Sequence, residues 1–331
     1  MSKVFYYQSV LAPFMDEFIK AKEACGQHTL RYKWVLDEFD RFLFERDIKQ
    51  PNITKELIKE WHKTRINDKP STLNFKYLTW IQLARYMSLH GYDCFIPQYP
   101  KYPKNQYNFT PYIFTHAQIE EIFEKSDQLE LHSRCLKVST FCVPAVLRLL
   151  YSTGLRISEA LSIKNKDIQF DRKSILIKET KNKLDRLVPI NESLEKILLQ
   201  YKLYRDNIPI KKIGSPECFF FIRADGTPCT QKGIHWHYRI ILKECGIPYL
   251  GNHHGPRIQD LRHTFAVHAL VQMAKSGMDL YVSLPILSTF LGHTNLAATE
   301  KYVRLTHDMY PEIIEQCSKT ISYVFPKTSI L

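Results

Sequence analysis

The chain has 331 residues, and its 46 Lys and Arg against 34 Asp and Glu leave a net charge of +12 with a pI near 9.2. Hydrophobic residues at 44% and aromatics at 13% make a foldable composition, which excludes wholesale disorder. The length predicts about two domains, and the charge points to a polyanionic partner: DNA, RNA or an anionic membrane surface.

The first third reads as helices. Thr29 opens a segment whose apolar residues Leu30, Trp34, Val35, Phe39, Phe42 and Leu43 share one helical face. Asn52 or Thr54 can cap a second helix through Leu57, Ile58 and Trp61, and a third is expected from about Ser71 to Leu89, ended by Gly91. The stretch from Pro97 to Asn105, rich in Pro, Tyr and Lys, has no periodicity and reads as a linker. The expected division is therefore residues 1–110 and 111–331. The second part opens with a helix after Thr115, followed by a long apolar helix from about Arg134 to Tyr151. Two short strands are signalled by Ser174–Ile177 and Arg186–Ile190, with Asn182 in the turn between them. Helices then dominate, at roughly 192–205, 229–244, 260–274, 284–291, 296–305 and 308–322. The expected fold is mostly α with a small antiparallel sheet.

No apolar run approaches the ~20 residues that span a bilayer. The N-terminus has no apolar core of a signal peptide, so a cytoplasmic protein is expected. The 8 cysteines form no C-x-x-C pair and read as small buried hydrophobes. The 13 histidines carry no zinc spacing, and neither a metal nor any other cofactor is expected. The 11 glycines are too few for a Gly-rich nucleotide fold. Residues 1–112 hold 17 basic and 12 acidic side chains, a balance of +5, and residues 113–331 hold 29 and 22, a balance of +7. Both parts are basic, as a protein gripping a duplex from two sides would be.

Four separated segments carry groups that suit phosphate chemistry. Gly154-Leu155-Arg156-Ile157-Ser158-Glu159 puts an arginine at a helix start. Thr180-Lys181-Asn182-Lys183 lies in the β turn. Asp260-Leu261-Arg262-His263-Thr264-Phe265-Ala266 puts a second arginine on a helix. Leu291-Gly292-His293 is followed nine residues on by Tyr302. A phosphodiester under attack accumulates negative charge, which two guanidinium forks can neutralise without a metal ion. A tyrosine hydroxyl can hold the phosphoryl group covalently, and a lysine can protonate the departing 5′-oxygen.

In order and spacing these motifs resemble the tyrosine recombinase (phage integrase, Xer-like) superfamily, over roughly residues 113–310. The stretch Leu284–His293 with Arg304-Leu305-Thr306 looks like members carried by bacterial transposons. The resemblance implies a C-shaped DNA clamp, built from a helical core-binding domain and a catalytic domain. It implies double-stranded DNA with specific sites as partner, a tetramer in the synapse, sister recombinases among the partners, and no membrane. By position, Tyr302 matches the nucleophile and Arg156 and Arg262 the phosphate-clamping arginines. His293 matches the residue that bonds the phosphate and braces the site. Lys181 matches the turn lysine, with Lys178 and Lys183 as alternates, and Glu159 is read as an orienter of the arginines. The final helix is expected to dock on a neighbouring protomer.

One position departs from the pattern. Three residues before Arg262 the family usually has His, and this chain has Gln259. An amide can bond a phosphate oxygen but takes up no proton near neutral pH. Gln259 then serves as a phosphate donor, or His263 or His254 takes part of the role, or the protein is a catalytically weak partner. His263 and His268 are otherwise expected to pack or cap. Competing readings are a type IB topoisomerase-like enzyme, a DNA-binding regulator with a vestigial site and, last, an RNA-binding protein, for which no RNP-type aromatic motif speaks.

Overall fold

The structure is a computed structural model describing residues 4–101, 110–130, 138–178, 185–249, 255–293 and 295–310. It divides into two compact units, Met1–Phe109 and Thr110–Leu331. The Asn182 turn, with Lys181 and Lys183, lies outside the described residues, as do His253, His254 and all of the expected final helix beyond Tyr310.

The first unit is helical. α1 (Ala12–Ala24) precedes the first helix expected from periodicity, carries Pro13 in its first turn and buries Met15, Phe18 and Ile19. α2 (Leu30–Glu45) follows Thr29, whose hydroxyl donates to Glu23 Oε1 at 2.7 Å rather than capping the helix. α3 (Lys55–Lys63) is capped by Thr54, which accepts from the Leu57 N–H at 3.1 Å. α4 (Pro70–Leu89) starts on Pro70, whose missing N–H costs nothing in a first turn. The core is aromatic: Phe39 stacks on Trp80 with centroids 4.0 Å apart, and Trp61 meets both rings edge-on. Inside it, Asp40 accepts the backbone N–H groups of Gln8 and Ser9 at 2.8 Å each, which ties down the segment before α1.

The second unit begins with α5 (His116–Asp127), where Thr115 and Gln118 form a reciprocal capping box. The apolar helix expected from about residue 134 instead begins later. Residues 138 and 139 are not helical, a 3-10 turn covers Thr140–Cys142, and α6 runs over Val143–Thr153. Pro144 explains the start, because proline favours the first turn and has no N–H to give a preceding one. α7 (Ile157–Ser162) follows a three-residue break. The sheet is β1 (Ile168–Gln169), β2 (Ser174–Ile177) and β3 (Arg186–Pro189), antiparallel in that order. The register sets Ile175 against Val188 and Ile177 against Arg186. Side chains alternate along a strand, so Arg186 shares the inner face with buried Val188.

α8 (Glu192–Asp206), α9 (Gln231–Glu244) and α10 (Gln259–Lys275) follow, then α11 (Leu280–Leu291) and α12 (Ala297–Met309). α10 is buried on almost every side, polar residues included. Its Thr264 hydroxyl accepts the Phe114 N–H at 3.1 Å, and Asp260 accepts the Arg257 N–H at 2.8 Å. A helix this enclosed must satisfy its polar side chains internally, and that requirement builds the site below. Of the cysteines, Cys94, Cys142 and Cys229 are buried, whereas Cys25 is exposed.

Candidate active site

The site forms where α6 and α11 end. Gly154 closes α6 in the left-handed region, at φ +60°, and its carbonyl accepts from Arg262 Nη1 at 2.6 Å. A Cβ at this position would lie 2.5 Å from Phe265 Cδ1 and 2.8 Å from Leu291 Cδ2, so conformation and space both require glycine. Arg262 Nη2 donates to the Leu291 carbonyl and to His293 Nε2, each at 2.9 Å. Arg186 Nε donates to the Phe290 carbonyl at 3.2 Å. The last carbonyls of a helix lack partners in the helix and carry the negative end of its dipole, so these two helix ends seat guanidinium groups. Gly292, at φ +67°, lets Arg186 in: a Cβ there would be 2.8 Å from Arg186 Nη1.

Arg156 stands at the N-cap of α7, and Glu159 one turn on binds it twice. Glu159 Oε1 accepts from Arg156 Nη1 at 2.7 Å, and Oε2 accepts from the Arg156 backbone N–H at 3.0 Å. Oε2 also accepts from Arg186 Nη2 at 2.9 Å. The carboxylate is buried, which disfavours its charge. Arg186 and Arg156 outweigh that cost and hold its pKa below the usual carboxylate range. Arg262 is only 2% exposed, and burial followed by the charge of Arg156 brings it down to about 10, so it remains a cation at neutral pH.

The protonation of His293 follows from its partners. A guanidinium only donates, so Nε2 facing Arg262 must accept, and the proton sits on Nδ1. Nδ1 then donates to Thr299 Oγ1 at 2.7 Å. Burial and then Arg262 hold the ring down to about 4, so it is neutral. Thr299, Tyr302 and Thr306 form the fully buried stripe of α12. Tyr302 is 1% exposed, its ring lies within 14° of parallel to that of His293, and its hydroxyl is 2.8 Å from His263 Nδ1. Burial raises the Tyr302 pKa, against the opposing pull of Arg262 and Arg156. His263 is neutral, held down to about 3 by burial and then by Lys301, Arg262, Arg257 and His293.

Arg156, Arg262, His293, Tyr302 and Glu159 are thus brought together from separated segments. Gln259 opens α10, one turn before His263. Lys181 and Lys183 lie outside the described residues, and Lys178 pairs with Asp167 at 3.0 Å. One residue, Arg186, joins the site unannounced: it was legible only as a cation on the inner register of a strand, where it must find a carboxylate. His263, expected to pack or cap or else to take part of the role that Gln259 leaves open, faces the tyrosine hydroxyl. His268 is a core histidine as expected, bonded through Nδ1 to the Tyr151 hydroxyl at 2.9 Å. Chemically, the cluster of guanidinium groups beside one hydroxyl suits an anion that is attacked. Among the described residues, no group of three or more His, Cys, Asp or Glu could hold a metal ion, and no helix is long and apolar enough to cross a membrane.

Residues 113–309 match the phage integrase family. The chain is 27% identical over 307 residues to the putative integrase/recombinase y4rB of Sinorhizobium fredii, covering 92% of this chain and 96% of that one. It is 26% identical over 313 residues to the tyrosine recombinase XerC of Staphylococcus saprophyticus, covering 89% and 92%. Among solved structures, the XerH site-specific recombinase bound to its difH substrate in a pre-cleavage complex shares the fold. The TM-score is 0.65 at 17% identity, over 93% of this chain and 99% of that one. The family match spans more than half the chain and takes in Arg156, Glu159, Arg186, Arg262, His293 and Tyr302, so this chain belongs to the phage integrase family of tyrosine recombinases and is a site-specific DNA strand transferase.

Proposed function

We propose that this recombinase cuts DNA by attack of the Tyr302 hydroxyl on a phosphodiester held by Arg156 and Arg262. The observation that carries the reading is the convergence of both arginines, His293 and Tyr302 on the ends of α6 and α11. The phosphate becomes linked to Tyr302 at its 3′ side and the 5′-hydroxyl is released, so the bond energy is kept for rejoining. The guanidinium groups stabilise charge that develops as the five-coordinate phosphorus forms. His293 braces Arg262, Glu159 orients Arg156, and Gln259 donates to a phosphate oxygen. Lys181 serves as the acid for the 5′-oxygen, with Lys178 and Lys183 as alternates. Four protomers on two DNA sites exchange strands through a Holliday junction, on an element carried by a bacterial transposon. Tyr302 is enclosed in the resting protein, so DNA binding must open the cover over it.

A nicked suicide substrate carrying the recombination site tests this. Wild type should give a covalent adduct on a denaturing gel, and Tyr302→Phe should give none. Absence of any adduct with wild type would overturn the catalytic assignment in favour of a catalytically weak, DNA-bound partner.

A further inference from the structure

An attacking tyrosine must lose its proton, and in this protein the hydroxyl resists losing it, because burial raises its pKa. Besides Lys301, whose Nζ lies over the ring face 5.2 Å from its centroid, three polar side chains surround the ring. Arg262 is a cation and can only donate. His293 has no nitrogen to spare, since Nε2 accepts from Arg262 and Nδ1–H donates to Thr299. The third is His263, whose Nδ1 lies 2.8 Å from the hydroxyl oxygen, with both side chains buried. Gln259, where a proton acceptor would be looked for, lies four residues earlier on α10. Residues at that spacing share one helix face, so His263 stands one turn deeper along the face Gln259 begins.

We propose that His263 takes the hydroxyl proton of Tyr302 as the tyrosine attacks, filling the role that Gln259 leaves open. The proposal rests on Tyr302 being the nucleophile. In the step, the Tyr302 O–H bond breaks and its proton moves to His263 Nδ1. A bond forms from the phenolic oxygen to phosphorus. The bond from phosphorus to the 5′-oxygen breaks, and that oxygen leaves with the electron pair and takes a proton from a lysine ammonium or from water. Rejoining runs the same transfers backwards, with His263 returning the proton to the phenolic oxygen.

The surroundings of His263 favour the timing. Lys301 and Tyr302 face it from α12, Arg262 from α10 itself, Arg257 from the segment before α10, and His293 from the turn after α11. Burial first, and then the cations Lys301, Arg262 and Arg257, keep the imidazole neutral, and therefore able to accept, while the site holds no anion. A phosphate arriving between Arg156 and Arg262 brings the opposite charge. It offsets the same cations and strengthens the base when the proton must move.

Single-turnover cleavage of the suicide substrate by His263→Asn tests the proposal. The shorter amide can present an oxygen near the Nδ1 position but takes up no proton. Cleavage should fall by about 100-fold, in the range general bases supply, while affinity for site DNA stays within about twofold. The loss should persist on DNA with a 5′-bridging sulfur, a leaving group that needs no acid. It should be recovered at least in part by adding Gln259→His, and the acid limb of the wild-type rate profile should be absent in His263→Asn. If His263→Asn fails to bind DNA, His263→Ala assayed with added imidazole replaces it, and rescue by imidazole is the expected result. The proposal is overturned if His263→Asn cleaves at the wild-type rate, if the sulfur substrate restores it fully, or if imidazole rescues nothing. Faster cleavage also overturns it and marks the contact as a restraint on Tyr302. A wild type that forms no adduct defeats the nucleophile reading instead, which separates the two failures.

Discussion

Glu159 holds two guanidinium groups with one buried carboxylate, an economy that makes it the most sensitive residue of the site. Glu159→Gln removes the charge and leaves Arg186, with its side chain 11% exposed, facing a neutral amide. Breaking a buried pair in this way costs about 3–5 kcal/mol, and the check is a lowered thermal midpoint with a loss of cleavage. The sign with pH follows from the depressed carboxyl. Its stabilisation is present above the ordinary carboxylate pKa and is lost as the pH falls through the lower, folded value. Gly154 is sensitive for a different reason. Gly154→Ala adds a Cβ 2.5 Å from Phe265 in a backbone conformation that disfavours side chains. We expect a loss of about 2–4 kcal/mol from strain and overpacking together, read by chemical denaturation. An undiminished midpoint would show that Phe265 and Leu291 can move aside.

At the scale of elements, α10 and the ends of α6, α11 and α12 act as one polar assembly inside an apolar unit. α12 contributes the stripe Thr299, Tyr302 and Thr306, and Thr299 fixes the tautomer of His293 that Arg262 needs. Thr299→Val keeps the shape but leaves the His293 Nδ1–H without its acceptor, at about 1–3 kcal/mol. Cleavage should fall more than DNA affinity does. An unchanged cleavage rate would show that His293 needs no such brace. Three histidines of this assembly, His263, His268 and His293, are held down to about 3, 4 and 4. Each takes up a proton more readily when unfolded, near pH 6.5. Their stabilisation is therefore complete above that pH and is lost as the pH falls toward the folded values, at about 1.4 kcal/mol per pH unit for each proton. Asp260, raised by burial, works in the opposite sense. The thermal midpoint should drop between pH 7 and pH 5, and a flat profile over that range would contradict the buried, neutral state of these rings.

At the scale of the whole molecule, the charge of +12 is divided between both parts of the chain, +5 in residues 1–112 and +7 beyond. Few of these cations belong to the site. Arg156, Arg186 and Arg262 are engaged there with a carboxylate, helix-end carbonyls and an imidazole. Others, such as Lys76 and Arg205, are buried in ion pairs, and on the proposed function the exposed remainder meets the DNA backbone and releases counterions. Binding to site DNA should therefore weaken steeply with salt, by about 0.9 in the logarithmic slope for each phosphate contacted. Titrations between 50 and 200 mM salt, as roughly spaced test conditions, measure that slope. A slope near zero would mean that the charge is ordinary solvated surface.

Much of this was legible in the chain itself. Apolar spacing located α2, α3 and α4, and Thr54 announced its cap. The motifs around Gly154, Arg262 and Leu291 named five of the converging side chains, because motif spacing reports on local geometry at a helix start or a turn. The sequence by itself also determined the charge and the family. What it left open were contacts across the fold. Periodicity started the apolar helix near residue 134, whereas Pro144 and a 3-10 turn delay it. Only the tertiary structure decided that Arg186 shares Glu159 with Arg156. It alone set Arg262 on the carbonyls that end two helices, and His263 rather than Gln259 on the tyrosine hydroxyl. The physical reason is that a buried donor or acceptor must be satisfied by whichever partner the packing brings near. Among the described residues that partner lies up to 150 residues away, beyond the reach of any local pattern.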